Sequence, residues 1–382
     1  MTKPKIRFPE FTEDWKTYKI ENVFDRVSKP VNVESNVMYK QIGIRSHGKG
    51  IFYKEAVSGD ELGNKRVFWI EPDCFVVNIV FAWERAVART TEKEIGMIAS
   101  HRFPMYKVKQ DVADLEYITE YFKTKYGQQI LILASPGGAG RNKTLGQDEF
   151  AKSRIKLPSC REQRKIIDFL KEVEDRINIQ IDIVADLEAQ KKGLMQKLFS
   201  QQVRFELEDG SSYPEWEETC IRECLNYEQP TKYIVSSEDY DSKFSVPVLT
   251  ANKGFILGYT SDSEGIYDKG NVIIYDDFTM DAKYVDFPFK VKSSAIKILT
   301  PKGEDNLYFI FSFLQYLNLS QEEHSRSYIS KIEPMYISLP CLEEQQKIAD
   351  CLLTFEKKIN VEKAILEDWQ QIKKGLFQQM FI

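Results

Sequence analysis

From Ile166 onward apolar residues fall at alternating intervals of four and three: Ile166, Leu170, Val173, Ile177, Val184, Leu187, Leu194 and Leu198, with Gln180 and Lys191 in the two remaining seam positions. The same spacing returns 182 residues later as Ile348, Leu352, Phe355, Ile359, Leu366, Trp369, Leu376 and Met380, with Glu362 and Lys373 at the polar places. A narrow apolar seam kept over more than four heptads predicts a long helix that needs a partner helix to cover it. The simplest partner for each copy is the other. Polar residues inside such a seam reduce stability but fix register and orientation. The stretch from Ile166 to Leu198, at about 1.5 Å of rise per residue, predicts a rod of roughly 50 Å.

The duplication begins ahead of the seam. Leu157-Pro158-Ser159-Cys160-Arg161-Glu162-Gln163 returns as Leu339-Pro340-Cys341-Leu342-Glu343-Glu344-Gln345, and the copies run without a gap to Lys191-Lys192-Gly193-Leu194-Met195-Gln196 and Lys373-Lys374-Gly375-Leu376-Phe377-Gln378. Proline disfavours helical geometry in the residue before it and tolerates the first turn, so Pro158 and Pro340 mark the two helix starts. Ser159 with Glu162 three residues later predicts a capping box, and Cys341 leaves the second copy without that hydroxyl.

The regions between the helices correspond more loosely. Phe8-Pro9-Glu10-Phe11 with Trp15 matches Tyr213-Pro214-Glu215-Trp216, which predicts that Trp15 and Trp216 anchor the start of each module. The segments from Gln41 to Phe52 and from Val246 to Ile256 each predict a strand, a polar turn and a second strand. Residues 74–80 and 271–275 predict buried strands. The expected fold class is therefore mixed α/β: two globular modules separated by two long helices that form an antiparallel coiled coil, with a pseudo-twofold internal repeat. The boundaries are a first module at 1–150, a first spacer helix at 151–203, a second module at 204–332 and a second spacer helix at 333–382.

Leu-Pro-x-x-x-Glu-Gln leading into a long helix that ends Lys-Lys-Gly-Leu-x-Gln, present twice with unlike modules between, resembles the specificity subunit of type I restriction-modification enzymes over essentially the whole chain. The resemblance implies that each module is a target-recognition domain reading one half of a split DNA site. It also implies that two modification (methyltransferase) subunits dock on the chain, and that restriction and translocase subunits join them for cleavage. S-adenosylmethionine, ATP and magnesium would then belong to those partners, with no cofactor on this chain. The unlike modules predict an asymmetric, bipartite double-stranded target. Two alternatives stay open: the recognition subunit of a stand-alone DNA methyltransferase, and a coiled-coil scaffold that does not bind DNA.

Composition agrees with ordinary folded cores, at 42% hydrophobic and 29% charged residues. No apolar stretch with a cleavage site opens the sequence, no run is long enough to span a bilayer, and six dispersed cysteines suit reduced thiols, so a soluble cytoplasmic protein is expected. Charge is uneven. Residues 1–150 carry 23 lysines and arginines against 20 acidic residues, whereas 201–340 carry 13 against 23. Phosphate neutralisation supplies much of DNA affinity, so the second module is expected to bind DNA poorly by itself.

Chemistry for modifying or cutting DNA is absent as a pattern: there is no Asn/Asp-Pro-Pro-aromatic run and no metal-binding carboxylate cluster. Gly137-Gly138-Ala139-Gly140-Arg141-Asn142-Lys143-Thr144 departs from a phosphate-cradling nucleotide loop at its final glycine and reads better as a basic loop against DNA phosphates. Metal ligation is not expected of His47, His101 or His324. Arginine, lysine, asparagine and glutamine suit base edges in the major groove. The candidate DNA-binding residues are Arg45, Ser46, His47, Lys49, Arg85, Arg89, Arg141, Asn142 and Lys143 in the first module. In the second they are Thr250, Asn252, Lys253, Thr279, Lys283, Arg326, Ser327 and Tyr328.

Overall fold

A computed structural model describes residues 3–137, 143–250, 254–318 and 328–382. The chain forms two compact units, one of Met1–Gln180 with Ile365–Ile382 and one of Ile181–Ala364. Each unit thus holds a module, the beginning of the long helix that follows it and the end of the other long helix.

In the first unit the central sheet is antiparallel, in the order Phe24–Val27, Met105–Val108, Phe75–Val77, Val87–Arg89. Phe75, Val76 and Val77 are all buried because the sheet is covered on both faces, which explains a continuous apolar run in place of alternation. One face packs Phe24, Phe75 and Val87 against Tyr117, Ile118, Phe122, Leu131 and Phe150 of the helical segments at 115–133 and 147–152. The other packs Val76, Ala88 and Met105 against Ile42 and Ile44. These last belong to the hairpin that pairs Ile42–Ile44 with Ile51–Tyr53. Lys16–Lys19 pairs with Arg154–Leu157, and this ribbon runs into the first long helix, Cys160–Phe199.

The second unit repeats the plan. Its sheet order is Leu225–Glu228, Ile296–Pro301, Val272–Asp276, Ala282–Val285. Ile273, Tyr275 and Leu299 face the helix Leu307–Leu317, while Ile274, Ile296 and Ile298 face Leu249, Phe289 and Val291. Val246–Leu249 and Ile256–Thr260 form the expected hairpin, with Lys290–Val291 added in parallel. Glu217–Cys220 pairs with Tyr336–Leu339 and leads into the second long helix, Leu342–Gln379.

Within each unit the two helix segments run antiparallel. In the first, Ile166 and Leu170 share a core with Leu376, Phe377, Met380 and Phe381; in the second, Met195 and Leu198 share one with Ile348 and Leu352. The seam lysines make reciprocal ion pairs. Lys191 Nζ lies 2.5 Å from Glu356 Oε2 in one unit, and Lys373 pairs with Glu174 in the other, all four positions related by the sequence offset. Each helix ends in an aromatic plug: Phe381 lies against Tyr117 at 5.2 Å, and Phe199 against Phe313 at 5.3 Å between ring centroids.

The Glu-Gln pair at each helix start is a socket. Arg7 donates from Nε and Nη2 to Glu162 at 2.7 and 2.8 Å, and Trp15 Nε1 donates to the same carboxylate at 3.2 Å. Arg204 and Trp216 do the same to Glu344, at 3.2, 2.8 and 3.2 Å. Gln163 accepts from the Asp114 N–H at 2.8 Å, and Gln345 from the Asn306 N–H at 2.9 Å. Asp114 and Asn306 in turn cap the helices at 115–121 and 307–317 through their side chains. The expected capping box is therefore only half present: Ser159 Oγ accepts from the Glu162 N–H at 3.3 Å, but the Glu162 carboxylate is taken by Arg7 and Trp15. Trp15 is buried as expected, while Trp216 is half-buried.

Candidate DNA-reading surfaces

In the first module, the turn between the paired strands is built onto the connection between the last two strands of the central sheet. His47 N–H donates to Glu84 O at 2.7 Å, Gly48 N–H to Arg85 O at 2.9 Å, and Ser46 Oγ to Glu84 Oε2 at 2.6 Å. This brings Arg45, Ser46, His47, Lys49 and Arg85 together. Arg45, His47 and Lys49 are exposed, whereas Ser46 and Arg85 are half-buried. The Arg45 guanidinium lies 5.0 Å from the Phe52 ring, and Lys143 Nζ lies 5.9 Å from the Trp83 ring beside Glu84. Lys143 therefore adjoins the same connection. Gln128 supports it as well, donating from Nε2 to Trp83 O at 3.0 Å. Arg141 and Asn142 lie outside the described residues.

Arg89 is not part of this group. Strand Val87–Arg89 carries it away to an ion pair with Glu116, beside a cleft of about 1040 Å³ that it lines together with Arg161, Arg164 and Lys171 at the long-helix start.

The second module distributes its candidates differently. Thr250 closes the hairpin turn by donating its N–H to Phe255 O at 2.9 Å. Asn252 and Lys253 lie outside the described residues, as do Arg326 and Ser327. Thr279 is exposed at the turn between the last two strands of the central sheet, where its N–H reaches Asp276 Oδ1 at 3.3 Å. Lys283 follows on the strand and pairs with Asp281 at 3.0 Å. Tyr328 requires correction. It is fully buried between Tyr227 and Tyr275, at 5.7 and 5.4 Å, and burial pushes its phenol pKa up, so it is a core residue with no face for a base.

Sequence patterns passed over Glu84, Lys123 and Gln128, which shape the first surface, and Arg7 and Arg204, which fill the sockets. The arginines left one signal, an Arg-Phe dipeptide shortly before each module's tryptophan, at Arg7-Phe8 and Arg204-Phe205. The cysteines are free. Among the described residues no group of histidine, cysteine and acidic side chains is placed to hold a metal ion, and no helix is long and apolar enough to cross a membrane. His324 lies outside the described residues.

Two modules of one plan, each leading into a long helix, define an internally repeated protein. The chain belongs to the type I restriction modification DNA specificity domain family, whose model matches residues 12–189 and 213–370. It is 44% identical over 133 residues to the Type I restriction enzyme EcoR124I/EcoR124II specificity subunit of Escherichia coli, a match that spans 33% of each chain. Its fold is similar to that of the HsdS subunit from Thermoanaerobacter tengcongensis, with a TM-score of 0.54, 16% identity and 97% of each chain covered. It is likewise similar to the type I restriction-modification S subunit from M. genitalium, with a TM-score of 0.58, 13% identity, and 100% of this chain and 99% of that chain covered.

Proposed function

We propose that this chain gives a type I restriction-modification complex its DNA sequence specificity by reading an asymmetric, bipartite duplex target, one half-site per module. The observation that carries this reading is that the two modules share sheet order and helix socket but differ in the side chains of the turn that joins the last two strands of the sheet. A common frame with unlike reading surfaces suits two unlike half-sites, and DNA helicity ties the gap between half-sites to rotational phase. The long helices are the natural spacer. Modification subunits bring S-adenosylmethionine, restriction subunits bring ATP and magnesium, and the assembly works on host DNA in the cytoplasm. With 13 basic against 23 acidic residues in 201–340, tight binding needs those partners to enclose the duplex.

Methylation mapping of DNA exposed to the assembled complex tests the reading. Two short unlike motifs separated by a fixed gap are expected, and exchange of residues 1–150 for another family member's module should change one motif and leave the other intact. A single uninterrupted motif, or an exchange that alters both, would refute it.

A further inference from the structure

We infer that Arg85 is a positioning residue: it fixes the shape of the turn at 45–50, and the side chains on that turn carry discrimination at the first half-site. This rests on the DNA-reading function proposed above.

Two non-glycine residues at this place adopt left-handed backbone, His47 at φ 62° and Arg85 at φ 59°. Such conformations are disfavoured for residues with a Cβ and persist where the surroundings over-determine them. The surroundings here are explicit. Arg85 N–H donates to Ala82 O at 2.8 Å, and its carbonyl accepts from Gly48 at 2.9 Å. Its side chain turns inward, with Nη1 donating to Lys123 O at 3.0 Å and Nε shut away from water. Beneath the turn, Gly48 has φ 68°, and a Cβ there would lie 2.9 Å from Lys123 Cγ, so any other residue would strain the backbone and displace Lys123. Lys123 is itself held by Glu120, with Nζ to Oε1 at 2.6 Å.

Three chain segments therefore meet at Arg85: the turn, the sheet connection and the end of the helical segment at 115–121. A guanidinium committed to a backbone carbonyl of its own module is badly placed to read a base. Arg45, His47 and Lys49 on the same turn are exposed. Lysine cannot reproduce the fixed planar donor geometry of arginine, so charge alone should not suffice at this position.

The test uses the complete chain assembled with its modification subunits. Arg85→Ala, Arg85→Lys and Ser46→Ala are compared with the unsubstituted chain for methylation of the cognate DNA and of every single-base variant of both half-sites. Affinity is measured as salt is raised. For both Arg85 variants the ratio of cognate to variant methylation should fall about tenfold at several adjacent base pairs of the first half-site, the scale of one bidentate base contact. The second half-site and the slope of log affinity against log salt should stay unchanged. Loss confined to one base pair would make Arg85 a direct reader and overturn the inference. So would a slope reduced by about 0.9 with base preferences intact, the mark of a phosphate contact. If the Arg85 variants do not fold, Ser46→Ala, which cuts the tie to Glu84, should blur the same base pairs, and full discrimination by that variant would overturn it equally. An unsubstituted complex with no sequence preference at all would instead defeat the proposed function.

Discussion

The two modules differ most where their plans agree best. Both connect the third and fourth strands of the central sheet through a turn closed by a left-handed non-glycine residue, Arg85 in one and Met280, at φ 62°, in the other. In the first module that residue sends a guanidinium to the Lys123 carbonyl and docks a basic hairpin turn. In the second it is a buried methionine, and the polar residues around it, Asp276, Thr279, Asp281 and Lys283, bond to one another. The sockets at the helix starts, by contrast, match donor for donor. Backbone geometry and the socket are held in common, and side-chain chemistry varies at the rim, as a protein needs if its frame must stay fixed while its target changes.

The strongest way to break the claim of matched sockets is to empty them. Glu162 and Glu344 are buried, and each takes an arginine and an indole N–H. Removing one partner of a buried, hydrogen-bonded ion pair typically destabilises by about 3 to 5 kcal/mol, because the remaining charge is left unpaired. Glu162→Ala and Glu344→Ala should both approach that range in chemical denaturation. The first should suffer slightly more, since the Arg7 side chain is 12% exposed and that of Arg204 is 19% exposed. A loss below about 1 kcal/mol at either site, the value of an ordinary surface pair, would show that the two sockets are not equivalent.

A smaller effect separates the reciprocal seam pairs. The Lys191 side chain is 11% exposed against Glu356, while that of Lys373 is 34% exposed against Glu174. Water solvates an abandoned Lys373 more readily than an abandoned Lys191. Glu356→Ala is therefore expected to cost about 1 to 2 kcal/mol, and Glu174→Ala at most about 1 kcal/mol. Equal losses would mean that exposure does not set the strength of these pairs.

The helices and their partnership were legible because a heptad seam is a local, periodic signal, and the hairpins because apolar runs flank polar turns. The sockets were not, since Glu162 meets an arginine 155 residues away and Glu344 one 140 residues away. The Glu-Gln motif announced itself without announcing its partners. Tyr328 misled for a related reason: beside Arg326 and Ser327 it read as surface, but Tyr227 and Tyr275 of the sheet, distant in sequence, pack against it. Left-handed backbone at Arg85 leaves no trace in residue type, because glycine, asparagine, aspartate and histidine are its usual markers. Ser46 was expected on the paired-strand turn and Arg85 with Arg89 after Trp83, but that Ser46 and Arg85 bond inward to Glu84 and Lys123 is decided by tertiary hydrogen bonds that no local pattern shows.

The smallest expected effect compares the stability of the two modules directly. Cys74 and Cys224 are buried thiols, one in each module, and burial pushes the pKa of both up to about 11. The thiolate is the reactive form, so at pH 8 only about one thiol in a thousand is poised to react, and labelling should rise roughly tenfold per pH unit until about pH 11. The linkage has the matching sign. With the folded pKa above the unfolded one, these groups favour the folded state fully below pH 8, and that contribution fades as pH rises toward 11. Iodoacetamide labelling followed by mass spectrometry at fixed pH and rising urea therefore reports when each module opens, Cys74 for the first and Cys224 for the second. The second module bears the larger like-charge surplus, 23 acidic against 13 basic residues over 201–340, and self-repulsion should let Cys224 label at the lower urea concentration in low salt. Adding salt should screen the repulsion and close the gap. Cys74 labelling first, at any salt, would show that packing rather than charge sets which half of the chain gives way.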